Sequence, residues 1–102
     1  MSKLWIVHRN PRRLEALARL SGLAAPDLVS GGPTSDVFGE APPPAAILLG
    51  VEGDFELELD FLHRMAQRLE HSQRILLASP EDVAEVERLF SASPAEILEG
   101  LP

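Results

Sequence analysis

Four arginines, Arg9, Arg12, Arg13 and Arg19, fall in the first fifth of a 102-residue chain that otherwise carries an excess of acid. Arg9, Arg12 and Arg13 surround Asn10-Pro11, a pair that starts helices. The free amides and dipole of a helix N-terminus attract anions. That grouping could hold a nucleotide, a cyclic dinucleotide or an acidic partner segment; the plainer reading is that these arginines pair with surface acids. His8, His63 and His71 are too few and too scattered for a zinc site. His8 stands at the end of an apolar run, where it could coordinate or titrate. Ser30, Ser35, Ser79, Ser91 and Ser93 have no histidine or acid partner that spacing can identify, so a catalytic triad is unsupported. Gly31-Gly32-Pro33 lacks both Lys-Ser/Thr and a G-x-G-x-x-G spacing and reads as a turn. With no cysteine, disulfide and thiolate chemistry are excluded. These residues predict no enzyme, no metal site and no cofactor.

Length and composition bound the rest. A chain of 102 residues with 45% hydrophobic content predicts one domain over 1–102 with a genuine core. No apolar run approaches the roughly 20 residues of a membrane span. Lys3-Leu4-Trp5-Ile6-Val7 is too short, and too quickly followed by His8-Arg9, for a signal peptide. The net charge of −7, from 16 acids against 9 bases, disfavours direct nucleic-acid contact. These features, with the absence of cysteine, predict a cytoplasmic protein.

The elements that must position these residues alternate between strand and helix. Lys3 to His8 reads as a first strand. Asn10 caps a helix with Pro11 at its first position, and Leu14, Leu17, Ala18 and Ser21, with Leu20 beside them, make its apolar stripe before Gly22 ends it. Asp27 to Ser30 is a short strand, and Thr34 to Phe38 a brief helix capped by Thr34 or Ser35. The proline run, Pro42 to Pro44, reads as a rigid connection into Ala45-Ala46-Ile47-Leu48-Leu49-Gly50-Val51, an unbroken apolar run of a strand buried on both faces. Asp54 then caps a long helix from Phe55 to about His71, with Phe55, Leu59, Leu62, Met65, Ala66 and Leu69 inward and Leu57 and Phe61 outside that stripe. The acids of Glu52 to Asp60 and Glu81 to Glu87 read mostly as polar helix faces. Arg74 to Ala78 is a further strand. Ser79-Pro80-Glu81-Asp82 starts a helix whose inner face is Val83, Val86, Leu89 and Phe90. The tail forms either a strand at Glu96 to Glu99, the preferred reading, or a short helix capped by Ser93, Pro94 and Glu96. Such alternation predicts a doubly wound parallel α/β sheet with its chemistry at the carboxyl ends of the strands.

At those ends the chain resembles a bacterial response-regulator receiver domain. Leu4 to Pro11 is similar to the receiver's first strand and the acids after it. Ala45 to Gly50 is similar to the third strand, which ends in the phosphoacceptor Asp. Arg74 to Ser79 is similar to the fourth strand with its terminal hydroxyl residue, and Ala95 to Pro102 to the fifth strand ending in Lys-Pro. The resemblance covers nearly the whole chain, through the order and spacing of elements. It implies a flavodoxin-like sheet of order 2-1-3-4-5, with the usual fifth helix missing after Pro102.

The departures define the expected function. His8 and Arg9 stand where the resemblance implies metal-binding acids, Gly50 where it implies the nucleophile, and Leu101 where it implies the lysine. Only Ala78-Ser79 keeps the hydroxyl position. Making Glu52 or Asp54 the acceptor places it in the loop beyond the strand. His8, Arg9, Gly50, Ala78, Ser79 and Leu101 thus outline a vestigial phosphoacceptor pocket, with His8 filling the space of a lost metal. The resemblance implies a pseudo-receiver at the N-terminus of a longer regulator, ahead of effector domains such as an ATPase and a DNA-binding module. The expected role is non-catalytic, through protein contacts or homodimerisation controlling a transcriptional output. Expected contact surfaces are the face lacking the fifth helix and the edge carrying Val86, Leu89, Phe90 and Leu98. The alternative is a sensor of an anionic metabolite or nucleotide, using His8, Arg9, Arg12 and Ser79. A small flavin enzyme is disfavoured because no Ser/Thr-rich phosphate loop is present.

Overall fold

The computed structural model describes residues 2–53, 55–90 and 97–99. Four strands, β1 (Ser2–Val7), β2 (Leu28–Gly31), β3 (Pro44–Gly50) and β4 (Gln73–Ala78), form an all-parallel sheet in the order β2-β1-β3-β4. Helices α1 (Pro11–Ser21), α2 (Val37–Glu40), α3 (Glu56–Arg64) and α4 (Val83–Phe90) follow the four strands in turn. This α/β architecture is the expected one and is compatible with a flavodoxin-like fold. The backbone of Ile97–Glu99 lies parallel to β4, with Ile97 opposite Leu76. Glu96 and the alternative caps Ser93 and Pro94 lie outside the described residues.

Register explains the two layers. Trp5 pairs with Ile47, Val7 with Leu49, and Leu49 with Leu76. Side chains alternate across a strand, so these residues share one face. They form the main core with Phe38 of α2, Phe61 of α3 and Val86 of α4. An aromatic series runs through it, Trp5 to Phe38 at 5.1 Å and Phe38 to Phe61 at 5.2 Å between ring centroids. Ile6 points to the opposite face, where α1 meets β1 and β2, and it is fully buried. Leu48, Ile75 and Leu77 share that second face but are only half-buried.

The first helix follows its sequence signals. The Asn10 side chain accepts from the Arg12 and Arg13 amides, Pro11 opens the helix, and Gly22 closes it at φ 68°. Leu20, beside the stripe, is 77% exposed. Pro44 occupies the first position of β3, where its missing amide disturbs no ladder bond. Several expected elements shift. The second helix is α2 at Val37–Glu40, later than Thr34 to Phe38, with the Val37 amide donating to Ser35 Oγ.

The third helix ends at Arg64, seven residues short of His71, and continues as turns. Tertiary bonds end it: Arg64 Nη2 donates to the Pro33 carbonyl at 2.7 Å, Arg68 Nη1 to that of Ala41 at 2.5 Å, and Ser72 Oγ to that of Pro44 at 2.6 Å. The expected inner face holds at Phe55, Leu62, Met65 and Leu69, and the buried surface widens to take in Glu58 and Phe61. Phe61 is buried, whereas Leu57 and Ala66 are exposed. The expected cap Asp54 lies outside the described residues; Phe55 precedes the helix at φ 65°. Finally, Ser79 makes no side-chain cap bond to backbone. Its hydroxyl donates to Asp82 Oδ2 at 2.8 Å across a 3-10 turn, Pro80–Asp82, that leads into α4.

Candidate functional site

The carboxyl ends of β1, β3 and β4 open into one cleft of about 580 Å3, lined by His8, Arg13, Val51, Glu52, Leu77, Ala78, Ser79, Pro80, Glu81 and Asp82. This is the place the sheet topology singles out for ligands. Each wall has a local origin. His8 follows β1, Arg13 sits in the first turn of α1, and Glu52 follows β3. Ser79, Glu81 and Asp82 come from the turn after β4.

His8 forms the floor, at 3% exposure. Its Nδ1 accepts the Asn10 amide at 2.9 Å, so the neutral ring carries its proton on Nε2. The ring lies directly over Gly50. A Cβ built on Gly50 would fall 2.1 Å from His8 Cδ2 and 2.7 Å from Nε2. Real carbon atoms do not approach so closely, so the glycine and the imidazole occupy one space between them. Burial pushes the His8 pKa below the ordinary histidine value; Glu52 and Glu58 pull it up, while Arg13 and Arg9 push it down.

Arg9 turns away from the cleft. Its Nε and Nη2 donate to Glu58 Oε2 and Oε1 at 2.9 and 2.5 Å, a bidentate pair in which the carboxylate is fully buried. The guanidinium passes over Gly53, where a Cβ would lie 3.0 Å from Nη1 and φ is +72°. A glycine is therefore needed there for both space and backbone conformation.

Among the expected pocket residues, His8, Ala78 and Ser79 line the cleft and Gly50 lies beneath it. Leu101 lies outside the described residues. The expected anion cluster does not assemble. Arg9 is paired with Glu58, Arg12 is exposed and does not line the cleft, and Arg13 alone reaches it, facing Glu52, Glu81 and Asp82. Three carboxylates against one guanidinium oppose a purely anionic ligand. The expected interface edge also needs correction. Val86 is a core residue with no exposure, and Leu89 and Phe90 pack partly against that core, Phe90 edge-on to Phe55 at 6.3 Å. The side chain of Leu98 lies outside the described residues.

Glu58 is the residue that the sequence reading missed. It was placed on a polar helix face, yet it stands three residues before Phe61 and four before Leu62, on the stripe that is buried. Its signal was that spacing, combined with an arginine at the end of the neighbouring strand.

No cluster of three or more histidine and acidic side chains able to hold a metal occurs among the described residues. None of their helices is long and apolar enough to cross a membrane. No protein-family model, curated protein or solved structure gives a match to this chain.

Proposed function

We propose that this is a non-catalytic regulatory domain with the flavodoxin-like, receiver-type sheet of order 2-1-3-4-5. It acts in the cytoplasm through protein contacts or homodimerisation to control a transcriptional output carried by other domains of a longer chain. The observation that carries this reading is the His8 ring packed on Gly50 at the end of β3. Phosphoryl transfer to a receiver needs a carboxylate nucleophile there, clustered acids for magnesium and a lysine. An imidazole fills that volume instead, and the neighbouring Arg9 is held by Glu58. The half-buried Leu48, Ile75 and Leu77 supply apolar surface for a contact.

The test is incubation with acetyl phosphate and magnesium, followed by intact-mass measurement. The reading expects an unchanged mass. A covalent phosphoryl adduct on the wild-type chain overturns it.

A further inference from the structure

The cleft contains polar groups that the fold does not use. His8 is almost wholly buried, and its Nδ1 is committed to the Asn10 amide. Its Nε2–H has no partner among the described residues, although the ring lines the cleft. The Nε2 atom is not among the fully enclosed side-chain atoms that lack a partner, so solvent reaches it from the cleft and it can donate to a ligand acceptor there. The side chains of Arg13, Glu52 and Glu81 likewise make no hydrogen bond or ion pair among the described residues. They are also divided in space. The donors, His8 and Arg13, belong to the β1–α1 side, whereas Glu81 and Asp82 belong to the turn after β4, with Glu52 between. Asp82 receives the Ser79 hydroxyl on one oxygen and keeps further acceptor capacity. Val51, Leu77 and Pro80 add apolar lining between the polar groups.

A ligand matched to these walls has an acidic end for the donors and more than one positive charge for the carboxylates. We propose that the cleft binds a free basic amino acid of the arginine and lysine type. Its α-carboxylate is taken by Arg13 and the Nε2–H of His8, and its cationic groups by Glu52, Glu81 and Asp82. The aliphatic stem lies along Leu77 and Pro80. A cavity of about 580 Å3 has room for such a molecule together with bridging water. This goes beyond the regulatory reading and does not rest on it. A phosphoryl adduct would overturn that reading without touching this one, and a null titration would do the reverse.

The experiment is calorimetric titration of the whole chain with L-arginine, with agmatine, which lacks the carboxylate, and with succinate, which lacks the cations. L-Arginine is expected to bind with a Kd of about 1 mM or tighter, and to shift the Nε2 resonance of His8 in histidine-labelled protein. Arg13→Gln should weaken L-arginine several-fold, up to about tenfold, while leaving agmatine within about twofold. Glu81→Gln, at an exposed position, should weaken both by a similar factor without changing the melting temperature. Three results overturn the proposal: no heat with L-arginine at about 10 mM, ten times the concentration that half-fills a millimolar site; succinate binding more tightly than L-arginine; or Arg13→Gln costing agmatine as much as L-arginine.

Discussion

A methyl group added at Gly50 would lie 2.1 Å from Cδ2 of His8, so Gly50→Ala must displace a buried ring or the strand beneath it. Overpacking of this kind costs about 1–3 kcal/mol, and urea denaturation should show it. In a His8→Ala background the same substitution should cost much less, because the space is then open. His8 also predicts a pH dependence. Its folded pKa is lowered by burial, so below the unfolded value of about 6.5 the unfolded chain binds the proton first. Stability contributed by the neutral ring is therefore present above that value and is lost as pH falls through it towards the folded pKa. Protonation would also place a hydrogen on Nδ1, against the Asn10 amide. The difference in stability between wild type and His8→Asn should shrink on acidification from pH 7 to 5; a constant difference would contradict this. The pair of Arg9 with Glu58 behaves as a buried ion pair does. Glu58→Ala takes away the buried carboxylate that accepts both Arg9 bonds and should cost about 3 kcal/mol, while Arg9→Met with Glu58→Met should recover most of that. An apolar strand ending at Gly50 was legible in the sequence, but the overlap of the His8 ring with the absent Cβ depends on strand register that only the fold supplies.

Strands and capped helix starts were the elements most legible in the sequence. Ile47 to Gly50 and Ile75 to Ala78 are apolar without interruption, and Asn10-Pro11 fixes a helix start by local chemistry alone. Asn10→Ala, which removes the acceptor for the Arg12 and Arg13 amides, should lower stability by about 1 kcal/mol. The third helix was less legible for a physical reason. Met65 to Leu69 has helical spacing, yet Arg68 and Ser72 donate to the carbonyls of Ala41 and Pro44, more than 25 residues earlier. Such bonds override local propensity and cannot be seen along the chain. At its other end, Phe55 takes φ 65°, a conformation costly for a residue with a bulky side chain. Its ring is buried against Phe90, so packing holds the strained start of the helix that carries Glu58.

At the scale of the molecule, one face of the sheet is closed by α2, α3 and α4, while the other leaves Leu48, Ile75 and Leu77 half-buried beside α1. If this second face makes the regulatory contact, sedimentation should give the mass of two chains at high concentration, and Ile75→Glu should return the mass of one. A wild-type monomer throughout would remove self-association and leave only contact with another protein. The site, by contrast, is set by how three strand ends converge. Composition suggested an anion site from the arginines, and the fold reverses that by directing Arg9 inward to Glu58 and bringing Glu52, Glu81 and Asp82 into the cleft that Arg13 lines. The central claim is that the end of β3 has lost phosphoryl chemistry as a whole, with His8 in the volume and no metal-holding cluster of acids among the described residues. The most direct test is the intact mass of Gly50→Asp, and of wild type beside it, after acetyl phosphate and magnesium. Both masses should be unchanged, because a carboxylate placed at position 50 still meets an imidazole, and no metal-holding cluster occurs among the described residues. A phosphoryl adduct on Gly50→Asp would contradict the account.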